Sequence, residues 1–77
     1  MSEKAREVVI SREPVELYKI LKFEALVASG GEAKAAISEG YVRLNGAVET
    51  RKRKKIVAGD LIEFNGERLT IRLRAGS

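Results

Sequence analysis

The stretch GEAKAAISEGYVRLNG, Gly31 to Gly46, decides the fold, because the hydrophobic period changes inside it. Up to Gly40 the apolar residues Ala33, Ala36 and Ile37 recur at helical spacing. Beyond it Val42 and Leu44 alternate with Tyr41 and Arg43, which is the period of a half-buried strand. Gly40 is placed to stop the helix, since glycine enters the left-handed conformation that closes a helix C-terminus. Asn45-Gly46 then favours a tight primed turn, because both residues tolerate positive φ.

Working outward, Ser29 followed by Glu32 predicts a capping box at the start of this helix. The "SGG" at residues 29–31 leaves room for only a tight turn before it. Upstream, Leu17, Ile20 and Leu21, with Phe23, Leu26 and Val27, predict a broad apolar stripe on a first helix from about Pro14 to about Ala28. Pro14 suits the first turn of that helix, where it needs no donor. Lys22 is its most solvent-facing cation and Lys19 lies nearer the boundary. The β-branched run Glu7–Ile10 predicts a short strand ahead of it. Downstream, Asn65-Gly66 joins "DLIEF" to "ERLTIRL". A two-residue turn there sets Ile62 opposite Leu69 in the core and Glu63 opposite Arg68 on the surface. The expected architecture is α+β: two short packed helices followed by a small antiparallel sheet, in a single domain spanning 1–77.

With 77 residues the chain is thinly cored, and its 44% hydrophobic content suits a folded domain. Cysteine and histidine are both absent, which removes the most reactive nucleophile, the commonest general base and the usual metal ligands. No serine has an identifiable basic partner and no phosphate-binding glycine loop occurs. No enzyme activity, cofactor, metal site or small-molecule substrate is therefore expected. No apolar run approaches the ~20 residues of a membrane span, and the N-terminus lacks a signal-peptide core. A soluble, cytoplasmic protein is expected.

The net charge of +4 is modest, but five of the fifteen cations are contiguous, Arg51, Lys52, Arg53, Lys54 and Lys55. Their mutual repulsion is a cost that phosphate binding with counterion release offsets. A solvated loop is the plain alternative. Against it, the run has no interleaved carboxylate and lies between two sheet elements. A membrane surface is disfavoured, because no amphipathic anchor accompanies the charges. The helices carry too few Arg, Asn or Gln on one exposed face for major-groove readout. Shape-based recognition of structured RNA asks less of side-chain identity. Non-specific DNA binding and a basic adaptor for an acidic protein are the rival readings.

The segment "ELYKILKFEALVASGGEAKAAISEGYVRLNGAVET…KIVAGDLIEF" resembles the RNA-binding domain named after small-subunit ribosomal protein S-four, the alpha-L motif. The resemblance covers about residues 15–64. It lies in the "EAK" entering the second helix, the "I-x-x-G-x-V-x-L-N-G" and the "I-x-x-G-D-x-I", in that order and spacing. "GAVETRKRKKIVAG" is most similar to the small stand-alone YbcJ-like proteins. The resemblance implies a non-catalytic, ribosome-associated protein with structured RNA as its partner, ribosomal RNA above all. By position it implies RNA contacts from Lys19, Lys22, Lys34, Arg43 and the run Arg51 to Lys55. Two family arginines are replaced here by Glu16 and Gly31, and the basic run is expected to take over their phosphate contacts. Tyr18 and Tyr41 are expected to be partly exposed and available to stack a base. Phe23 and Phe64 are expected in the core, Gly59-Asp60 in a turn, and Glu3 and Glu67 on the surface away from the site.

Overall fold

A computed structural model describes residues 4–75. In chain order these form β1 (Lys4–Ile10), β2 (Val15–Glu16), α1 (Leu17–Phe23), α2 (Gly30–Ser38), β3 (Val42–Leu44), β4 (Ala47–Val48), β5 (Lys55–Ile56), β6 (Leu61–Phe64) and β7 (Glu67–Leu73). Around Gly40 the chain follows the expected change of period. Gly40 sits at φ +85°, its N–H donating to the Ile37 carbonyl and that of Tyr41 to the Ala36 carbonyl, at 3.0 and 3.1 Å. That pair of bonds satisfies the last carbonyls of α2 and turns the chain into β3. At the other end of α2, the Ser29 hydroxyl accepts from the Glu32 N–H at 3.2 Å. The Glu32 carboxylate reaches back one residue further than a capping box requires, to the Ala28 N–H at 3.3 Å.

Both Asn-Gly turns form as two-residue links with positive φ at each position. Leu44 faces Ala47 across the first, and Phe64 faces Glu67 across the second. Ile62 opposes Leu69 and Glu63 opposes Arg68, the register that hydrophobic alternation requires. Five strands make one sheet in the order β1-β7-β6-β3-β4, and β2 pairs with β5 in a separate antiparallel ribbon. The α+β architecture is the expected one, but the sheet is mixed and not the wholly antiparallel one expected. β1 lies parallel to β7 along its whole length, Lys4 opposite Glu67 through Ile10 opposite Leu73. The chain between those strands provides the long crossover that a parallel pair needs.

Several local expectations are corrected. α1 ends at Phe23 rather than near Ala28, because Ala25 adopts φ +58°. Its N–H donates to Lys22 and that of Leu26 to Leu21, closing the helix as Gly40 closes α2. Leu26 and Val27 still pack on the core from the turned segment, but Phe23 is left 70% exposed and is not a core residue. Pro14 precedes β2 and lies outside the first turn of α1, since Val15 and Glu16 are taken up by pairing with Ile56 and Lys55. Gly30 and Gly31 belong to α2, so the link between the helices is residues 24–29 and not "SGG". Glu67 is tied to Arg6, which also reaches Glu24, and Glu3 lies outside the described residues.

The core is the layer between the helices and one face of the sheet. Leu17, Ile20 and Leu21 of α1 and Ile37 of α2 meet Val42, Ile62, Leu69 and Ile71, all essentially buried. Truncating one of the large ones to alanine typically costs about 2–5 kcal/mol. A chain of this length has only about 4–12 kcal/mol in total. Phe64 is half-buried against this layer, as expected. Residues of the opposite parity, Arg43, Glu63 and Arg68 among them, occupy the sheet's other, open face.

Candidate nucleic-acid interface

α1 begins without a side-chain cap, because Glu16 is extended and makes no capping bond. Its first N–H groups are satisfied by the basic run instead. Leu17 N–H donates to the Lys54 carbonyl at 2.9 Å and Tyr18 N–H to the Lys52 carbonyl at 3.1 Å. A helix N-terminus concentrates partial positive charge, so it favours carbonyl oxygens and would repel the ammonium groups of the same residues. The run is thereby held by its backbone. Arg51, Lys52, Arg53 and Lys55 are exposed, and Lys54 is half-buried.

Three further contacts fix the loop. Lys54 N–H donates to the Arg51 carbonyl at 3.1 Å, which closes a turn over Lys52 and Arg53. Glu49 accepts from the Arg51 backbone N–H at 2.9 Å and from its guanidinium Nε at 3.0 Å. The hydrogen bond from the Arg51 side chain holds the Glu49 carboxyl below its ordinary value of 4.5. The β2–β5 ribbon, with Glu16 opposite Lys55, closes the base of the loop. On this frame lies a depression of about 380 Å³ lined, among the described residues, by Arg51, Arg53, Lys54 and Lys55. Four cations around one depression suit an anion with several oxygens, such as a phosphodiester.

Tyr18 links the loop to both helices. Lys34 Nζ of α2 lies 4.7 Å from its ring centroid, the Arg53 guanidinium 5.8 Å and Lys19 Nζ 6.0 Å. These are cation–π distances, and each such contact is worth roughly 0.5–1 kcal/mol at an exposed site. The ring is half-buried and already faced by cations, so it organises them more than it offers a stacking surface. Glu16 enters the same cluster, 3.7 Å from Lys19 and 4.0 Å from Arg53. Glu16 is thus a carboxylate that holds two of the cations together.

The structure thus brings Lys19, Lys34 and the run Arg51 to Lys55 onto one surface. Lys22 is exposed in the last turn of α1 and makes no ion pair or ring contact among the described residues. Arg43 and Tyr41 lie apart. They line a separate shallow concavity with Glu63, Phe64, Asn65 and Gly66. The parts invisible to sequence reasoning are the backbone docking of the loop, the gathering of cations at Tyr18 and the place of Glu16 among them. The docking of the loop depends on β2–β5 pairing, and a two-residue strand carries no readable period. Among the described residues no cluster of His, Cys, Asp or Glu could hold a metal ion. No helix among them is long and apolar enough to cross a membrane.

The chain is similar to several known proteins. YbcJ of Escherichia coli (strain K12) is 53% identical over 57 residues, 74% of this chain and 81% of that protein. The "Probable ribosome maturation protein RlbA" of Bacillus subtilis (strain 168) is 34% identical over 62 residues, 80% of this chain and 87% of that one. The solution structure of YbcJ from E. coli, which "reveals a recently discovered alfaL motif involved in RNA-binding", superposes with a TM-score of 0.66 at 46% identity. It covers 86% of this chain and 85% of that chain. The family model for the S4 domain matches residues 8–72, and the chain belongs to the S4 domain family.

Proposed function

We propose that this protein is a non-catalytic RNA-binding module of the cytoplasm, residues 1–77 acting as one domain, that grips structured RNA by its phosphates. The observation that carries the reading is the four-cation depression on a loop whose carbonyls are bonded to the N-terminus of α1. The backbone that carries these cations is already held, so binding orders only their side chains, which suits a partner whose phosphates are themselves fixed, as in an RNA helix. Ribosomal RNA or a ribosomal particle is the target we favour, on the likeness to a relative named for ribosome maturation.

A folded RNA hairpin, the DNA duplex of the same sequence and an acidic peptide, compared at one salt concentration, test the proposal. The RNA should bind at least about tenfold more tightly than either competitor. Equal affinity for DNA would reduce the site to a general polyanion surface. Preference for the peptide would favour the adaptor reading.

A further inference from the structure

We propose that the side of α2 away from the phosphate clamp holds a second site, for one unpaired nucleobase stacked on Tyr41 with its phosphate against Arg43. This rests on the RNA-binding reading above and names a second feature of the RNA that the protein recognises.

Tyr41 is the residue at which α2 has just closed, and its side chain is 66% exposed. It stands between two adjoining concavities, and Phe64 and Asn65 border both. The larger, about 380 Å³, has Leu26, Val27 and Ala36 as its apolar wall and Glu32 among its lining. The smaller, about 220 Å³, contains Arg43. An apolar wall, an accessible aromatic face and a few polar groups within reach of one another are what an unstacked base requires.

The polar groups are available for that use. Asn45, in the equivalent turn, spends its amide on the Asp60 carboxylate at 3.1 Å and the Leu61 N–H at 2.9 Å. The Asn65 side chain makes no hydrogen bond among the described residues, so its donor and acceptor remain for a base edge. Arg43 likewise makes no ion pair there. Its cross-strand neighbour Glu63 is engaged by Arg68 at 3.7 Å, which leaves the Arg43 guanidinium for a phosphate. Glu32 and Glu63 disfavour a second phosphate in either concavity, and this points to a base in the larger one.

The placement relative to the clamp is consistent with one RNA strand reaching both. At 100° per residue, Lys34 lies about 200° around α2 from Glu32 and from Ala36. The clamp and the base site therefore flank one helix, whose diameter of about 10 Å matches roughly three nucleotide steps of ~3.4 Å. A base inside a duplex has both faces covered, so the occupant is a bulged or looped-out nucleotide.

The test uses the full chain and a hairpin RNA with or without one bulged 2-aminopurine. The bulge should tighten binding roughly 5- to 150-fold, the range of one base–aromatic stack, and aminopurine fluorescence should be quenched on binding. Tyr41→Leu should lose both effects, while keeping wild-type affinity and salt dependence for the uninterrupted hairpin; Tyr41→Phe should retain them. Circular dichroism should be unchanged in both variants, since the side chain is exposed. Equal wild-type affinity for the two RNAs, or a bulge preference that survives Tyr41→Leu, would overturn the base site. Continued binding of the uninterrupted hairpin would then leave the phosphate reading standing. Loss of affinity for both hairpins in Tyr41→Leu would also overturn it, by making Tyr41 part of the clamp.

Discussion

At Ala25 the backbone sits at φ +58°, in the left-handed region where a Cβ crowds the following carbonyl. That conformation costs an alanine roughly 1–2 kcal/mol, and glycine adopts it freely. Gly40 does the same work at the end of α2 without the Cβ. Ala25→Gly should therefore stabilise the domain by about 1 kcal/mol, part of the relief being lost to the greater freedom of glycine in the unfolded chain. In a domain of this size that raises Tm by roughly 4–8 °C. Thermal unfolding followed by circular dichroism measures it, and a lowered Tm would mean that Ala25 carries no strain. The same residue explains why the end of α1 was illegible. Nothing at position 25 marks a helix stop, and the apolar spacing runs on unbroken through Leu26 and Val27. Phe23 was misplaced as a consequence.

Among the elements, what was legible had local causes. Both Asn-Gly turns, the register of Ile62 with Leu69 and the stop at Gly40 follow from residues within a few positions of each other. The β2–β5 ribbon and the parallel β1–β7 pair join segments about 40 and 60 residues apart, and no short-range pattern encodes such pairings. The basic loop depends on that ribbon and on Glu49. Because the folded state holds the Glu49 carboxyl below 4.5, its ionised form stabilises the loop above that value. The contribution is lost as pH falls through the lower folded-state value. In a carbon-detected NMR titration, Glu49 should show a midpoint below 4.5, and the Arg51 Nε–H signal should lose its exchange protection over the same range. Glu49→Gln should remove that step from the acid limb of the Arg51 signal. An Arg51 signal that fades at the same pH in this variant would show that another group holds the loop.

For the whole molecule, the candidate cations divide by what already engages them. Arg51 is held by Glu49, while Lys19 and Arg53 share Glu16. Lys52 and Lys55 are exposed and are bound into the loop only through their backbones, so their ammonium groups are free to meet phosphates. If about four phosphates are contacted in all, log K against log salt should have a slope of roughly −3 to −4, at ~0.7–0.9 per contact. Changing Lys52 and Lys55 together to glutamine should make that slope shallower by about 1.4–1.8 and weaken binding similarly across RNA sequences. Stability should stay within about 0.5 kcal/mol, since neither ammonium group supports the fold. These two lysines are a cleaner probe than Arg51 and Arg53, whose loss would also release Glu49 and Glu16 and disturb the loop itself. An unchanged slope with near-wild-type affinity would remove Lys52 and Lys55 from the interface.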